Sequence, residues 1–496
     1  MEPVKLSWAM EKLHDLSLTD SPLSAVATSS FTKFDTDVDV DITGISIDTR
    51  KISPGDLFFA LLGENSDGHN YVAAAFEKGA VAAVVSRKSE GVEGVQIVVS
   101  DTLLALGKLA KAYRQLFDIE LVAITGSVGK TSTKEMLAAV LRTKYRTLAS
   151  EKNYNNEIGV PLTLFQLTTA HEAAVIEMGM RGAGQIAYLA EIASPTVGII
   201  TNIGFAHMEL LGSREAIAAA KGELLSYLPH AGCAILPTGE FRQTLRAGVP
   251  AGCKVMYVGN NLEESEILDG ESIRAGEQEY SDDGAPRFSI EIGNERHQVA
   301  LKVAGEHHAI NSCFVLAAAK YLQVPIPQAI SALEDWTGAE GRMVVKHSAE
   351  GMTILDDCYN AGLESMSAAL STLSTLSKRR SVAVLGDMKE LGDHWKEIHG
   401  FVGQAVVAAK VTLLITVGGL ATEIAQTVRQ ESLNSGVKNP FIVSYPDSET
   451  AAREIGKYVN SDDTVLVKGS RAMHMEKIVA VLTGEKSATE GTESHG

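Results

Sequence analysis

Three α/β domains in series are the architecture this sequence predicts: a small N-terminal α/β domain, a central parallel-sheet domain and a C-terminal Rossmann-like domain. Three observations lead there. The chain has 496 residues, too many for one hydrophobic core of ordinary size. Short apolar runs of strand length alternate with helical stretches over most of it, the pattern of parallel strands joined by crossover helices. At residues 121–132, LVAITGSVGKTS, an apolar run passes through a tight glycine turn into a helix with Met136, Leu137, Val140 and Leu141 on its apolar face.

Taken in order, residues 1–118 form the first domain, with strand-like pieces ITGISIDTR, DLFFAL, AVAAVVS and VQIVVS. The helix YVAAAFEKGA and the turns SPGD and NSDGHN lie among them. The second domain, 119–335, opens on the glycine turn and continues with the strands AAVIEMG and TVGIITNIG between helices. From 261 to 299 the composition becomes polar and alternating, which predicts antiparallel hairpins appended to this domain. The helix HAINSCFVLAAAKYLQV then closes it. The third domain, 336–485, repeats the α/β pattern with MTILDD, SVAVLG, TLLITVG, FIVSY and DTVLVKGS, and its expected sheet is Rossmann-like. Residues 486–496 are small and polar, and a disordered tail is predicted there.

Composition narrows the function. With 45% apolar and 21% charged residues the chain reads as a soluble globular protein. A net charge of −18 argues against a general nucleic-acid surface, which needs clustered cations, so anionic ligands are expected to meet local positive pockets. Four cysteines, far apart and without a CxxC pair, suggest neither zinc nor a disulfide framework. The N-terminus lacks the basic start and apolar stretch of a signal peptide, and no run of 18 apolar residues occurs, so membrane insertion is not expected and the cytoplasm is.

The glycine turn carries the clearest chemistry. Gly126 and Gly129 let the backbone approach an anion closely, and the amides at the helix start carry partial positive charge. Lys130 can neutralise the β and γ phosphates of a nucleotide, and the hydroxyl of Thr131 can hold Mg²⁺. Residues Gly126, Ser127, Val128, Gly129, Lys130, Thr131 and Ser132 therefore form a candidate triphosphate cradle. The central domain becomes a P-loop domain with a nucleoside triphosphate and Mg²⁺ expected at its cradle, although Ile124 stands where the usual pattern has glycine. Glu177 ends a buried strand on the edge where open α/β sheets bind ligands, and a carboxylate is a hard ligand for Mg²⁺. Read alone, without the phosphate loop, it is more often a mere strand-end carboxylate. His207 follows the strand TVGIITNIG and reaches the same edge, where a lone histidine is more often a satisfied structural group. Lys221 lies on an apolar helix face, where a lysine ordinarily snorkels.

Together these segments resemble the Mur ligases, the ATP-dependent amide-forming enzymes of peptidoglycan precursor synthesis. The resemblance runs over nearly the whole length and is clearest in GSVGKTS at 126–132, NYNNEIGVP at 153–161, EMGMRGAGQI at 177–186, NIGFAHMELLGS at 202–213 and AKGELL at 220–225. Within the family, four stretches are most similar to the member that adds D-alanyl-D-alanine to UDP-N-acetylmuramoyl (UDP-MurNAc) tripeptide. These are DTRKISPGDLFFAL with DGH at 67–69, ILDDCYNAGLESMSAAL at 354–370, LGDMKELG at 385–392 and VLVKGSRAMHMEKIV at 465–479. The Asn-Pro-Arg stretch expected of the member that adds a diamino acid or lysine is absent.

The resemblance implies that the central domain is a P-loop ATPase domain with ATP and Mg²⁺ as cofactors, and that an acyl phosphate formed on the tripeptide carboxylate is attacked by the amine of D-Ala-D-Ala. It assigns Lys130, His207 and Lys221 to catalysis, Thr131 and Glu177 to one Mg²⁺, and His207 and Lys221 to a second, with Lys221 carbamylated. It places Asn155, Asn156, Asn311, Arg342, Asp357 and Asn360 at the nucleotide, with Tyr359 beside them. Thr49, Arg50, Asp67, Gly68, His69, Lys468, Ser470 and Arg471 are assigned to substrate. The implied partners are small molecules, UDP-MurNAc-tripeptide and D-Ala-D-Ala, handled by a monomer. His308 stands where the family usually has asparagine, Thr49 where serine is common, and Gly362 and Leu363 where proline often appears.

Overall fold

A computed structural model of the protein describes residues 1–17, 39–63, 66–151, 153–259, 270–435 and 439–485. The four predicted strands of the first domain form a wholly parallel sheet in the order Gly44–Ser46, Asp56–Phe59, Ala82–Val85, Val95–Val98. The helix Thr102–Arg114 follows, capped by Asp101, whose carboxylate accepts from the amides of Leu103 and Leu104 at 2.8 and 2.9 Å. A further helix, Leu6–Ser17, is not among the predicted elements. It lays Leu6, Ala9 and Leu13 into the core shared with Thr102–Arg114.

Among the described residues the central sheet has nine strands, and the chain adds them on both sides of Glu120–Thr125. On one side lie Ala173–Glu177 and the edge strand Thr147–Ala149; on the other lie Val197–Ile200, Cys233–Pro237 and Lys254–Gly259, all parallel. The strands are apolar through and through because both faces are covered. Val122 and Ile124 face a core with the helices Lys130–Leu141 and His307–Tyr321, while Leu121 and Ala123 face the core shared with the first domain.

The hairpins expected at 261–299 differ in one respect: they are not an appendage but an extension of the same sheet. Glu271–Tyr280 pairs in parallel with Lys254–Gly259, and only then do Pro286–Ile292 and Glu295–Ala300 add antiparallel. Burial of Ile273, Phe288, Ile290 and Val299 against the helix His307–Tyr321 makes them part of the central core. Residues 261–269, and the tail at 486–496, lie outside the described residues.

In the third domain the five predicted strands are parallel, in the order Thr353–Asp356, Asp463–Lys468, Arg380–Gly386, Leu413–Val417, Phe441–Tyr445. Val344–His347 joins as an antiparallel edge strand. Leu355, Ala383, Leu385 and Leu466 point to one helical layer, and Ile354, Val382, Val384 and Val465 to the other. Among the described residues, no helix is long and apolar enough to cross a membrane.

The junction between the first two domains rests on the end of the helix Thr102–Arg114. The Tyr113 hydroxyl donates to the Leu167 carbonyl and accepts from the Glu2 amide, both at 2.7 Å. Buried Arg114 donates to three carbonyls: Phe117 at 2.6 Å, Ala193 at 3.1 Å and Ile119 at 3.2 Å. Hydrogen bonds from a charged group contribute more than neutral ones, and orphaned carbonyls cost further. Arg114→Met should therefore cost about 2–4 kcal/mol, read as a lower thermal-unfolding midpoint and faster proteolysis near residues 115–120. An unchanged midpoint would remove this anchor.

Candidate active site

The site forms where the order of strand addition reverses. After Ala173–Glu177 the chain crosses over Glu120–Thr125 to place Val197–Ile200 on its far side, so loops diverge from adjacent strand ends and leave a crevice. The register puts Thr125 level with Ile200 and Ile124 level with Glu177, so the three loops start at nearly the same height.

The phosphate loop is a close backbone approach that only glycine permits. Gly126 has φ +152°, and a Cβ there would lie 1.9 Å from the Thr201 hydroxyl oxygen. Gly129, at φ +81°, opens the helix Lys130–Leu141 beneath the side chain of Asn311, whose Oδ1 would meet a Cβ at 2.8 Å. The loop is tied to its neighbour by Thr201, which donates to the Val128 carbonyl at 2.6 Å, and by the Ser127 hydroxyl, which accepts from the Gly204 amide at 2.8 Å. The Ser127 and Val128 amides both point to Asn202 Oδ1, each at 2.9 Å. The part of the cradle open to an anion is thus the helix start with Lys130, whose ammonium rests on the Gly126 carbonyl at 2.7 Å. Burial pulls Lys130 below its ordinary lysine value, against the attraction of Glu177.

Glu177, Thr131 and Asn155 are brought together as a unit. The Thr131 hydroxyl donates to one carboxylate oxygen of Glu177 at 2.9 Å and the Asn155 amide to the other at 2.8 Å, with Glu177 only 3% exposed. Asn156 is turned away from this group: its side-chain oxygen accepts from the Gly159 amide at 2.9 Å, at the start of the helix Gly159–Leu164.

His207 and Lys221 come from the next loop and helix. Lys221 is 1% exposed, and burial together with the nearby Lys130 pushes its amine well below the usual lysine range. Burial also lowers His207, opposed by the nearby Glu390 carboxylate and assisted by Lys221 and Lys130. The Glu390 contact, at 3.1 Å on His207 Nδ1, crosses from the third domain. Glu364, also from that domain, accepts from the Phe205 amide at 2.8 Å. Neither carboxylate was a predicted site residue, although both fall within stretches 354–370 and 385–392 that carried the resemblance.

The third domain also delivers Arg342, stacked 4.2 Å from the Tyr359 ring centroid, with Nη2 3.4 Å from the Thr131 hydroxyl. Asp357 accepts from the Met343 amide at 3.2 Å and pairs with Lys468, which also donates to the Asn360 carbonyl at 3.0 Å. Lys468 is fully buried, and burial lowers its ammonium despite Asp357. This pair holds the Arg342 segment. Ser470 accepts from the Lys389 amide at 2.9 Å, and Arg471 pairs with Glu476 at 3.4 Å.

Beside the phosphate loop, several buried polar atoms have no hydrogen-bond partner among the described residues: His307 Nδ1, both ring nitrogens of His308, Asn311 Nδ2 and Arg342 Nε. Burial drops His307 to about 4 and His308 well below its ordinary value, so both rings are neutral. His308 is wedged between His307 and the edge of Trp336, at 4.1 and 5.2 Å between centroids.

The remaining predicted residues sit apart, at the strand ends of the first domain. His69 receives the Ser86 amide on Nε2 at 2.9 Å and meets Asp67 through Nδ1 at 2.7 Å, and Asp67 also pairs with Arg87. Gly68 is packed against the Leu61 backbone, where a Cβ would lie 2.7 Å from the amide nitrogen. Arg50 is tied to Asp48 at 2.8 Å, and the Thr49 carbonyl accepts from Lys78 at 2.9 Å.

Comparison with known proteins places this geometry. Residues 41–114 match the Mur ligase family catalytic domain, 124–319 the Mur ligase middle domain and 341–471 the Mur ligase glutamate ligase domain. A UDP-N-acetylmuramoyl-tripeptide--D-alanyl-D-alanine ligase from Synechocystis sp. is 37% identical over 461 residues, covering 90% of this chain and 93% of that protein. The Escherichia coli K12 protein of the same name is 34% identical over 90% of this chain and 94% of its own. Among solved structures, MurF from Acinetobacter baumannii aligns with a TM-score of 0.83 at 29% identity, over 98% of this chain and all of that one. A MurF ligase from Thermotoga maritima in complex with ADP aligns at 0.76 and 27% identity, over 90% of this chain and 98% of that one. With its phosphate loop, its three matched domains and relatives spanning nine-tenths of its length, the chain belongs to the Mur ligase family.

Proposed function

We propose that the protein joins D-alanyl-D-alanine to UDP-N-acetylmuramoyl-tripeptide at the expense of ATP, giving the pentapeptide precursor of peptidoglycan, ADP and phosphate. The observation that carries the substrate assignment is the likeness to ligases of that name over 90% of the chain. A monomer in the cytoplasm fits this reading, since one chain supplies all three domains and its cysteines are all free.

The reaction transfers the γ-phosphoryl group of ATP to the tripeptide carboxylate, breaking the bond to ADP and forming an acyl phosphate. The D-Ala-D-Ala amine then attacks the carbonyl carbon, loses a proton and expels phosphate. Two anions must first be brought together, so the site needs positive charge that is already in place. Lys130 and the helix start receive the phosphates, and Arg342, held by its stack on Tyr359, adds a second cation. The partnerless His307, Asn311 and Arg342 nitrogens line the same junction and are suited to nucleotide base, ribose or phosphate groups.

The donor set fits Mg²⁺. Glu177 and the Thr131 hydroxyl are adjacent hard oxygens at the cradle, and Mg²⁺ characteristically takes one or two protein oxygens plus phosphate and water. Bound there, it would neutralise phosphate charge. Lys221 fits a second ion only if modified. Its depressed amine favours the neutral form, which can add CO₂ and release a proton to become a carbamate, an oxygen donor beside His207. The first-domain cluster of Thr49, Arg50, Asp67, Gly68 and His69 is assigned the UDP end of the precursor, and Lys468, Ser470 and Arg471 the third-domain edge.

The test is phosphate release from ATP with UDP-MurNAc-tripeptide, with and without D-Ala-D-Ala, and product identification by mass spectrometry. Release that needs both substrates, a pentapeptide product, and loss of both in Lys130→Ala are expected. Turnover only with another amino acid or acceptor would overturn the substrate. Arg342→Ala should lower kcat by about 10²-fold while leaving the thermal-unfolding midpoint in place; an unchanged rate would remove Arg342 from the site.

A further inference from the structure

The segment 201–205, which leaves the strand Val197–Ile200, is bonded to the phosphate loop at one end and to the third domain at the other. At the first end Asn202 stands in for an anion. Its Oδ1 accepts from the Ser127 and Val128 amides, each at 2.9 Å, and its own carbonyl accepts a longer bond from the Ser127 amide at 3.2 Å. Two N–H donors can be met only by oxygen, so the orientation of the side-chain amide is fixed. Successive backbone amides of such a loop form a concavity that receives an anion. Here a neutral oxygen of the protein occupies part of it. Thr201 adds a bond to the Val128 carbonyl at 2.6 Å, and its amide donates to the Thr125 carbonyl at 2.9 Å. The loop ahead of Gly129 and Lys130 is therefore held in shape without help from a nucleotide.

Two residues on, the same segment meets the third domain. The Gly204 amide donates to Ser127 Oγ at 2.8 Å, and the very next amide, that of Phe205, donates to Glu364 at 2.8 Å. Glu364 lies in the first turn of the helix Leu363–Leu376, so near that a Cβ on Gly204 would lie 2.1 Å from its Oε1. The Phe205 ring packs against the core shared by the first two domains and against the core of the third. Adjacent peptide groups are thus held by the phosphate loop and by the third domain.

We propose that Asn202 is a positioning residue for nucleotide binding, and that residues 202–205 couple the phosphate loop to docking of the third domain through Glu364. Without the Asn202 oxygen two amides lose their partner, and ordering the loop becomes a cost of binding the nucleotide. Without Glu364 the Phe205 peptide is released, and with it the Gly204 bond that steadies Ser127. Such coupling is reciprocal, so bound nucleotide favours docking of the third domain by the same factor. Arg342 offers a separate route between that domain and the nucleotide, and the two routes differ in one respect. Glu364 acting through the segment has no further effect once Asn202 is gone, whereas an effect through Arg342 would persist. The choice of an adenine nucleotide as ligand rests on the ligase reading; the bonds do not.

The test is calorimetric binding of ADP to the full-length protein, with thermal midpoints as a check on folding. Asn202→Ala should weaken ADP by about 10–100-fold and raise KM for ATP in parallel, with kcat nearly retained. Glu364→Ala should weaken ADP by about 2–10-fold, and Glu364→Gln, which keeps an acceptor, should bind as wild type does. The double variant Asn202→Ala/Glu364→Ala should lie within about twofold of Asn202→Ala. Unchanged affinity in Asn202→Ala, or losses that multiply in the double variant, would overturn the proposal. Should Asn202→Ala not fold, Glu364→Ala and Glu364→Gln decide the coupling, and equal affinities in those two would overturn it. The expected ADP affinities in a wild-type protein that makes no pentapeptide would sustain the coupling and sink the ligase reading instead.

Discussion

The site depends on one close approach, that of the Gly126 backbone to Thr201 and Asn202. Because Glu120–Thr125 and Val197–Ile200 are paired in register to their last residues, the loops leaving them run side by side. Thr201, Asn202 and Ser127 then lock the two loops through hydrogen bonds between 2.6 and 2.9 Å. The phosphate loop and the loop bearing His207 are therefore one rigid unit. A side chain at residue 126 would part them, displacing the phosphate-binding helix and the histidine at once.

Electrostatics explains why this unit needs a second domain. Lys130, Lys221 and His207 converge with burial lowering each from its ordinary value, an arrangement that is costly unless opposite charge is near. Glu177 supplies one carboxylate from within the sheet, and Glu364 and Glu390 arrive from the third domain. Arg342 arrives with them, oriented by Tyr359 and by the segment that Asp357 and Lys468 hold. The third domain thus brings both acidic and basic side chains to this edge of the central one.

Much of the fold was legible because its signals are local. Apolar runs such as AVAAVVS, AAVIEMG and DTVLVKGS are strands wherever they are buried on both faces, and GSVGKTS fixes a turn and a helix start by glycine chemistry. The helix Leu6–Ser17 was less legible, since its apolar positions gain meaning only against the helix Thr102–Arg114. The polar strands after residue 270 looked separate because alternation reveals a half-exposed strand, not its partner. In the site, Lys130, Thr131, Glu177, His207 and Lys221 were expected from their motifs, and the fold brings them to one crevice. Asn202, Glu364 and Glu390 carried no local signal, since an asparagine after a strand or a glutamate in a helical turn is ordinary on its own.

The sequence by itself determined the three-part α/β organisation, the phosphate loop and the family, because these rest on periodicity, glycine positions and contiguous motifs. Only the tertiary structure decided that Glu390 meets His207, that the Ser127 and Val128 amides are taken by Asn202, and that Lys468 pairs with Asp357. Those are contacts between residues 74 to 183 positions apart, set by strand order and domain docking. No local pattern encodes them, because their energy comes from what each side chain meets across the crevice.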